Sequence, residues 1–253
     1  MTNTLLRIER DGQVAIVRLS RGVTNPINVE LIGELAAAVR QAKEEPDIRS
    51  LVLASANDKF FSIGWDIPQL IGLTKSEFAD FFRRYNRMCL DLYTLSKPTV
   101  AAVTGHAIAG GCILALCCDY RYVADGKKLM GLNEIKLGVP LPYVVDRVLP
   151  ALVGGRYASE IMECGDFYPP DAALRMGLAD AVLALDQVLP ASVEKAKALG
   201  AMPEHAFAII KRNRTEGIEK AILSQLEEQE RRFVECWYSE VARERLTEAA
   251  AKF

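Results

Sequence analysis

Histidine is scarce in this 253-residue chain, which holds only His106 and His205, so a multi-histidine metal site or a pair of histidine-dependent proton transfers is hard to build. The six cysteines (Cys89, Cys112, Cys117, Cys118, Cys164, Cys236) include no CxxC pair and lie mostly among apolar neighbours. That pattern reads as reduced, structural thiols. No run of like charges occurs, and 31 basic against 33 acidic residues leave no electrostatic footprint for nucleic acid or an anionic membrane. No apolar stretch approaches the roughly 20 residues of a membrane span, and the opening MTNTLLRIERDG carries charge where a signal peptide needs an apolar stretch. These absences describe a soluble, cytoplasmic protein with a small-molecule ligand and metal-free chemistry. Nor is there a low-complexity linker, and the length suits one hydrophobic core with an appended helical piece.

What is present alternates between strand and helix patterns. Leu5 to Glu9 and Val14 to Leu19 flank Asp11-Gly12, a favoured hairpin turn. Ile32, Leu35, Ala36 and Val39 recur at helical spacing after the N-cap residue Asn28, and Pro46 marks the far limit of that helix. SLVLASA, residues 50 to 56, is a short strand-length run. Thr74-x-x-Glu77 has the form of a capping box, followed on one helical face by Phe78, Phe81, Phe82, Tyr85, Met88, Leu92 and Leu95. Thr99 to Thr104 and Tyr120 to Ala124 predict further strands. Beyond them the pattern predicts helices over Arg156 to Cys164 and Pro169-Pro170 to Met176, then two long helices after Pro203. The expected architecture is an α/β core, with helices from about residue 200 that pack on it or on a neighbouring subunit.

Two glycine turns each follow a strand and precede a helical run. In FFSIGWD, Gly64 permits a turn that other residues resist, and Trp65 then offers its N–H at the start of a helical segment. Ala109-Gly110-Gly111 does the same before CILALCC. Two such donors together suit an oxyanion, each worth roughly 3 kcal/mol toward developing negative charge. The same glycines also suit tight αβ packing, and spacing alone does not separate the two readings. A serine hydrolase built on Ser62 is excluded because FFSIG lacks the glycine two residues before the serine. GHAIAGG does not fit the dinucleotide fingerprint and has no acidic partner at the expected distance.

Read in order, FFSIGWDI, AVTGHAIAGGCILALCCDYRYVAD and GLNEIKLGVPLPYVVDRVL resemble the crotonase, or enoyl-CoA hydratase/isomerase, superfamily. The similarity extends from RGVTNPINVELIGEL to FYPPDAALRMGLADAV and MPEHAFAIIKRNR. The resemblance implies a crotonase-like spiral of ββα units in two roughly perpendicular sheets with a helical C-terminal region. Residues 1–200 would form the core carrying coenzyme A and the active site, and residues 201–253 a helical oligomerisation region. It implies an acyl-CoA thioester as substrate, with coenzyme A as part of that substrate and no separate cofactor or metal. Homotrimers, some pairing into hexamers, are the implied assembly.

By position in those motifs, the N–H groups of Trp65 and Gly110 would be the oxyanion donors. The first of two glutamates used by hydratases falls at Ile113, which neither orients nor deprotonates water. The second falls at Glu134 and is kept. Hydration asks for two polar groups, whereas moving a double bond needs one. GLNEIKLGV also resembles the superfamily's 3-enoyl-CoA to 2-enoyl-CoA isomerases. The expectation is an isomerase in which Glu134 shuttles a proton, its pKa raised by Ile113, Leu137, Val139 and Leu141. Hydration, thioester hydrolysis, decarboxylation and a weakly catalytic CoA- or RNA-binding role are the alternatives. Ser62, Ile63 and Gly64 lie where the family contacts adenine and pantetheine, and Ile113 is placed at the substrate. Asp66 is expected to stabilise the turn that follows it. Lys211, Arg212 and Arg214 are candidates for the CoA phosphates. His106 reads first as structural, and the bulk of Trp65 leaves less room in the acyl pocket. Asp146 and Glu163 are the reserve acids.

Overall fold

The computed structural model describes residues 4–252. Its chain repeats one unit, strand, strand, helix. β1 (Leu6–Asp11) and β2 (Val14–Leu19) pair antiparallel around Gly12 and lead into α1 (Val29–Glu44), capped by the Asn28 side chain on the Leu31 N–H. β3 (Ser50–Ser55) and β4 (Phe60–Ser62) lead into α2 (Ile67–Leu70) and α3 (Lys75–Tyr93). The capping box of Thr74 and Glu77 starts α3. β5 (Thr99–Val103) and β6 (His106–Ile108) lead into α4 (Gly110–Leu116). β7 (Tyr120–Ala124) and β8 (Met130–Gly131) lead through a 3₁₀ turn, Glu134–Leu137, to α5 (Tyr143–Cys164). After β9 (Phe167–Tyr168), α6 (Pro170–Met176), β10 (Ala181–Leu183) and α7 (Leu185–Gly200) come α8 (Glu204–Leu223), α9 (Leu226–Trp237) and α10 (Glu240–Ala250).

After the β1–β2 hairpin, the two strands of each unit lie in different sheets. The larger has the order β1-β2-β3-β5-β7-β10 and the smaller β4-β6-β8-β9. In the smaller sheet β4, β6 and β8 run parallel, so the chain leaves all three at the same edge. The segments leaving that edge are Gly64-Trp65, Ala109-Gly110 and Asn133-Glu134. This repeat brings the site together from three distant stretches of sequence.

The central strands β3 and β5 of the larger sheet are buried on both faces, which is why they read as unbroken apolar runs, whereas the edge strand β1 is mostly exposed. Ala15, Val17, Leu51, Leu53, Ala101 and Val103 face the main core, and Val14, Ile16, Val52, Ala54, Val100 and Ala102 face α7 through Val188, Val193 and Ala196.

The helical end of the chain differs from the sequence expectation. Three helices, not two, follow Pro203, and neither β10 nor α7 was expected. Pro190 inside α7 breaks the pattern by which a helix is read. α5 is broken at the non-helical Gly154 (φ 76°): the expected helix over Arg156 to Cys164 is its second segment, and the first, from Tyr143 and containing Pro150, was not expected. The last helices pack on the core rather than standing apart: α9 lies on α3, and α10 on α2 and the 3₁₀ turn. Four thiols are buried, Cys236 is half-buried and Cys164 is exposed, all unpaired.

Candidate active site

The three turns at the edge of the smaller sheet meet in one apolar cavity of about 350 Å³, whose wall includes Ile63, Trp65, Gly110, Asn133, Glu134, Leu137 and Val139. The first turn is held from below. Asn25, itself at positive φ (46°), donates from its side chain to Ser55 Oγ (2.9 Å) and the Phe61 carbonyl (3.0 Å). Ser62 Oγ donates to the Asn25 carbonyl (2.8 Å) and accepts from the Gly64 N–H (3.1 Å). Gly64 has φ +98°, and a Cβ there would lie 3.0 Å from the Ile108 carbonyl and 3.1 Å from the Gly110 nitrogen. Glycine is therefore required, and the two glycine turns touch.

Ile27 then frees the Trp65 N–H. Ile27 donates to the Gly64 carbonyl (2.7 Å) and accepts from the Asp66 N–H (2.8 Å), forming a parallel bridge opposite Trp65. In that pattern the residue between the two bonds points its own amide away. Asp66 accepts from the Gln69 N–H and pairs with Arg21 at 2.6 Å, which fixes the helical turn that follows.

Gly110 opens α4, so its N–H has no intrahelical acceptor. Ala109 before it sits at φ 48°, ψ −122°, a strained conformation for a residue with a side chain, costing on the order of 1–3 kcal/mol. Two bonds hold it there: the Ala109 N–H donates to the Gly131 carbonyl (2.9 Å), and buried Tyr85 donates from its hydroxyl to the Gly110 carbonyl (3.0 Å). Neither the Trp65 nor the Gly110 N–H donates to another group among the described residues.

Glu134 is 7 % exposed, and its Oε2 has no hydrogen-bond partner. Burial pushes its carboxyl up to about 7, against the opposing pull of backbone N–H groups at Glu134 and Asn133. That is the direction expected from sequence, although the wall beside it is made by Leu137 and Val139, without Ile113 or Leu141. Glu134 is the only carboxylate lining this cavity among the described residues. His106 also lines it. Its Nδ1 accepts from the Leu129 N–H (3.2 Å), and burial with nearby Lys128 and Lys59 holds it below the ordinary range, so it is neutral near pH 7. Burial, with the Glu134 charge, pushes the Cys112 thiol to about 12, which leaves no thiolate beside the turn.

Several candidate residues lie elsewhere. Ile113 is fully buried in the core and is not part of the cavity wall. Ser62 is a buried brace for the Gly64 turn. Lys211 is 2 % exposed and is consumed by Asp119 (2.7 Å) and the Lys97 carbonyl (3.2 Å), out of reach of a phosphate. Arg214 pairs with the same Asp119, and Arg212 is exposed on α8 away from the cavity. Asp146 and Glu163 are not in the wall either. A second, polar cavity of about 590 Å³ adjoins the first and shares Ile63, Asn133, Leu137 and Ala249 with it. Lys136, Arg245 and Lys252 line it, together with Glu244 and Glu248.

Sequence reasoning missed Tyr85, Trp237 and Ala249. Trp237 and Ala249 come from the final helices, and no local pattern connects them to the glycine turns. Tyr85 left a signal: it sets a hydroxyl among the phenylalanines of the apolar stripe of α3, and a buried tyrosine needs a partner.

A two-sheet ββα spiral with paired amides and one buried carboxylate at a common sheet edge defines a fold class, and comparison with known proteins places this chain in it. The chain belongs to the enoyl-CoA hydratase/isomerase family, whose model matches residues 9–250, and with it to the crotonase superfamily. It is 31% identical over 208 residues to the mitochondrial enoyl-CoA delta isomerase 1 of Mus musculus, covering 82% of this chain and 72% of that protein. It is 30% identical over 184 residues to the crotonyl-CoA hydratase of Syntrophomonas wolfei, covering 72% and 70%. The crystal structure of human mitochondrial delta3-delta2-enoyl-CoA isomerase superposes with a TM-score of 0.95 at 26% identity, covering 98% of each chain. Among the described residues no helix is long and apolar enough to cross a membrane.

Proposed function

We propose that this protein moves the double bond of a 3-enoyl-CoA to the 2-position. The observation that carries this reading is that, among the described residues, Glu134 is the one carboxylate lining the cavity that also holds Trp65 and Gly110, while position 113 is an isoleucine buried in the core. Glu134 takes a proton from C2, which the thioester carbonyl acidifies. The negative charge moves to the thioester oxygen, where the Trp65 and Gly110 N–H groups hold it. The protonated carboxyl then returns the proton to C4, leaving the conjugated 2-enoyl thioester. A carboxyl poised near 7 is suited to both halves, since it neither holds nor refuses a proton strongly at neutral pH. Hydration asks for a second acid or base to activate water, and among the described residues the wall holds no second carboxylate and one other titratable group, His106.

Coenzyme A would lie with its thioester at the glycine turns and its phosphates at the polar cavity, near Lys136, Arg245 and Lys252, in place of Lys211 and Arg212. The exposed apolar side chains Met202, Ile209 and Ile210 support a homotrimer or hexamer joined through the region from residue 201, which sedimentation velocity tests. The function itself is tested by incubation with 3-hexenoyl-CoA, following formation of conjugated 2-enoyl product. Efficient hydration of crotonyl-CoA without conversion of 3-hexenoyl-CoA would refute it.

A further inference from the structure

From the packing around Trp65 we infer that this side chain is a fixed wall that restricts the site to short acyl groups. This rests on the reading that the cavity takes an acyl-CoA, and it adds the class of acyl group. The indole lies between Gly110 and α3: a Cβ on Gly110 would fall 2.8 Å from Trp65 Cδ1 and 3.0 Å from Nε1. Six aromatic rings surround it, those of Phe78, Phe81, Phe82, Tyr85, Phe233 and Trp237, with centroids 5.2–6.1 Å away and mostly edge-on. Its buried Nε1 has no hydrogen-bond partner, so aromatic packing alone fixes the ring. Edge-on pairs are favourable arrangements, and turning the indole aside would disrupt several at once. Space beside the oxyanion donors toward α3 is thus filled by a group that does not yield.

The remaining volume leads to the same limit. About 350 Å³ is at the small end of the roughly 300–1,000 Å³ of ligand sites, and the end of the pantetheine arm shares it with the acyl chain. In an unobstructed apolar channel each further buried methylene raises affinity about 4-fold, equivalent to about 0.8 kcal/mol. Here that rise stops once the chain meets Trp65.

Saturated acyl-CoAs test this without any chemistry, by calorimetric titration of the intact protein with butanoyl-, hexanoyl-, octanoyl- and decanoyl-CoA. Affinity is expected to peak at the shorter members and to be at least 10-fold weaker for decanoyl-CoA than for hexanoyl-CoA. Trp65→Leu and the milder Trp65→Phe, each checked by thermal melting, are expected to recover decanoyl-CoA binding, the leucine variant by about 10-fold or more. Affinity that climbs steadily through decanoyl-CoA in the unaltered protein overturns the inference. So does an unchanged ladder in folded Trp65→Leu, or a failure of every acyl-CoA to bind. A peaked ladder with no turnover of 3-hexenoyl-CoA would sink the isomerase reading and leave the wall intact.

Discussion

Replacing Glu134 by glutamine should make the protein more stable and nearly inactive, with the stability gain confined to neutral and alkaline pH. The carboxyl titrates near 7 in the fold against an ordinary 4.5 because burial penalises its charged form. At about 1.36 kcal/mol per pH unit, that difference corresponds to about 3 kcal/mol. The folded protein holds this proton more tightly than the unfolded chain, so the contribution is fully present below about pH 4.5 and is lost as pH rises through about 7. Glutamine has the same shape and does not titrate. Near pH 8.5 the Glu134→Gln protein should therefore be about 3 kcal/mol more stable than the parent, roughly 6–12 °C in melting temperature for a chain of this size. Near pH 5 most of the gain should vanish. Isomerisation should fall by roughly 10²–10⁴-fold, the range expected for a lost general base. Melting curves at the two pH values beside 3-hexenoyl-CoA turnover measure both effects. Equal stability gains at both pH values would refute a buried, charge-penalised base, and activity that survives the substitution would move the proton transfer to another group.

Activity of the parent should rise with pH through about 7 as Glu134 ionises, and a kcat/KM profile flat from pH 5.5 to 8.5 would exclude it as the base. Gly110→Ala places a Cβ 2.8 Å from Trp65 Cδ1 and displaces one oxyanion donor, so turnover should drop by roughly 10²–10³-fold. Steady-state kinetics would show whether the loss falls on kcat. Tyr85→Phe removes the hydroxyl bond to the Gly110 carbonyl, which keeps only its acceptor role inside α4, and should cost about 0.5–1.5 kcal/mol in urea unfolding. It should also lower kcat more than KM changes. Lys211→Met breaks the buried pair with Asp119. Burial favours the neutral acid at Asp119, but Lys211 and Arg214 more than reverse this and hold it below the usual range. The loss should be about 3 kcal/mol of stability with little change in KM for the thioester, whereas a large KM increase would restore Lys211 as a phosphate ligand.

Where local chemistry dictates structure, the sequence alone was decisive. The first hairpin (which turns on Gly12-Gln13, one residue beyond the expected Asp11-Gly12), the Asn28 cap and the Thr74/Glu77 capping box each depend on neighbours within a few residues, and all form. The α/β alternation, the glycine turns and an isoleucine rather than a glutamate at position 113 were equally legible, because residue type there sets what the backbone and chemistry permit. α7 and the first segment of α5 were not, since Pro190 and Pro150 interrupt the periodicity while packing, of α7 on the larger sheet and of α5 on neighbouring helices, holds them in place. Lys211 and Arg212 looked equivalent in sequence, and only packing decided that one is buried against Asp119 and the other faces solvent. The meeting of Trp65, Gly110 and Glu134 is likewise a tertiary fact: parallel pairing of β4, β6 and β8 sends three chain segments out at one edge. Burial at that edge, which no stretch of sequence contains, raises the pKa of Glu134 and locks the indole of Trp65 in place.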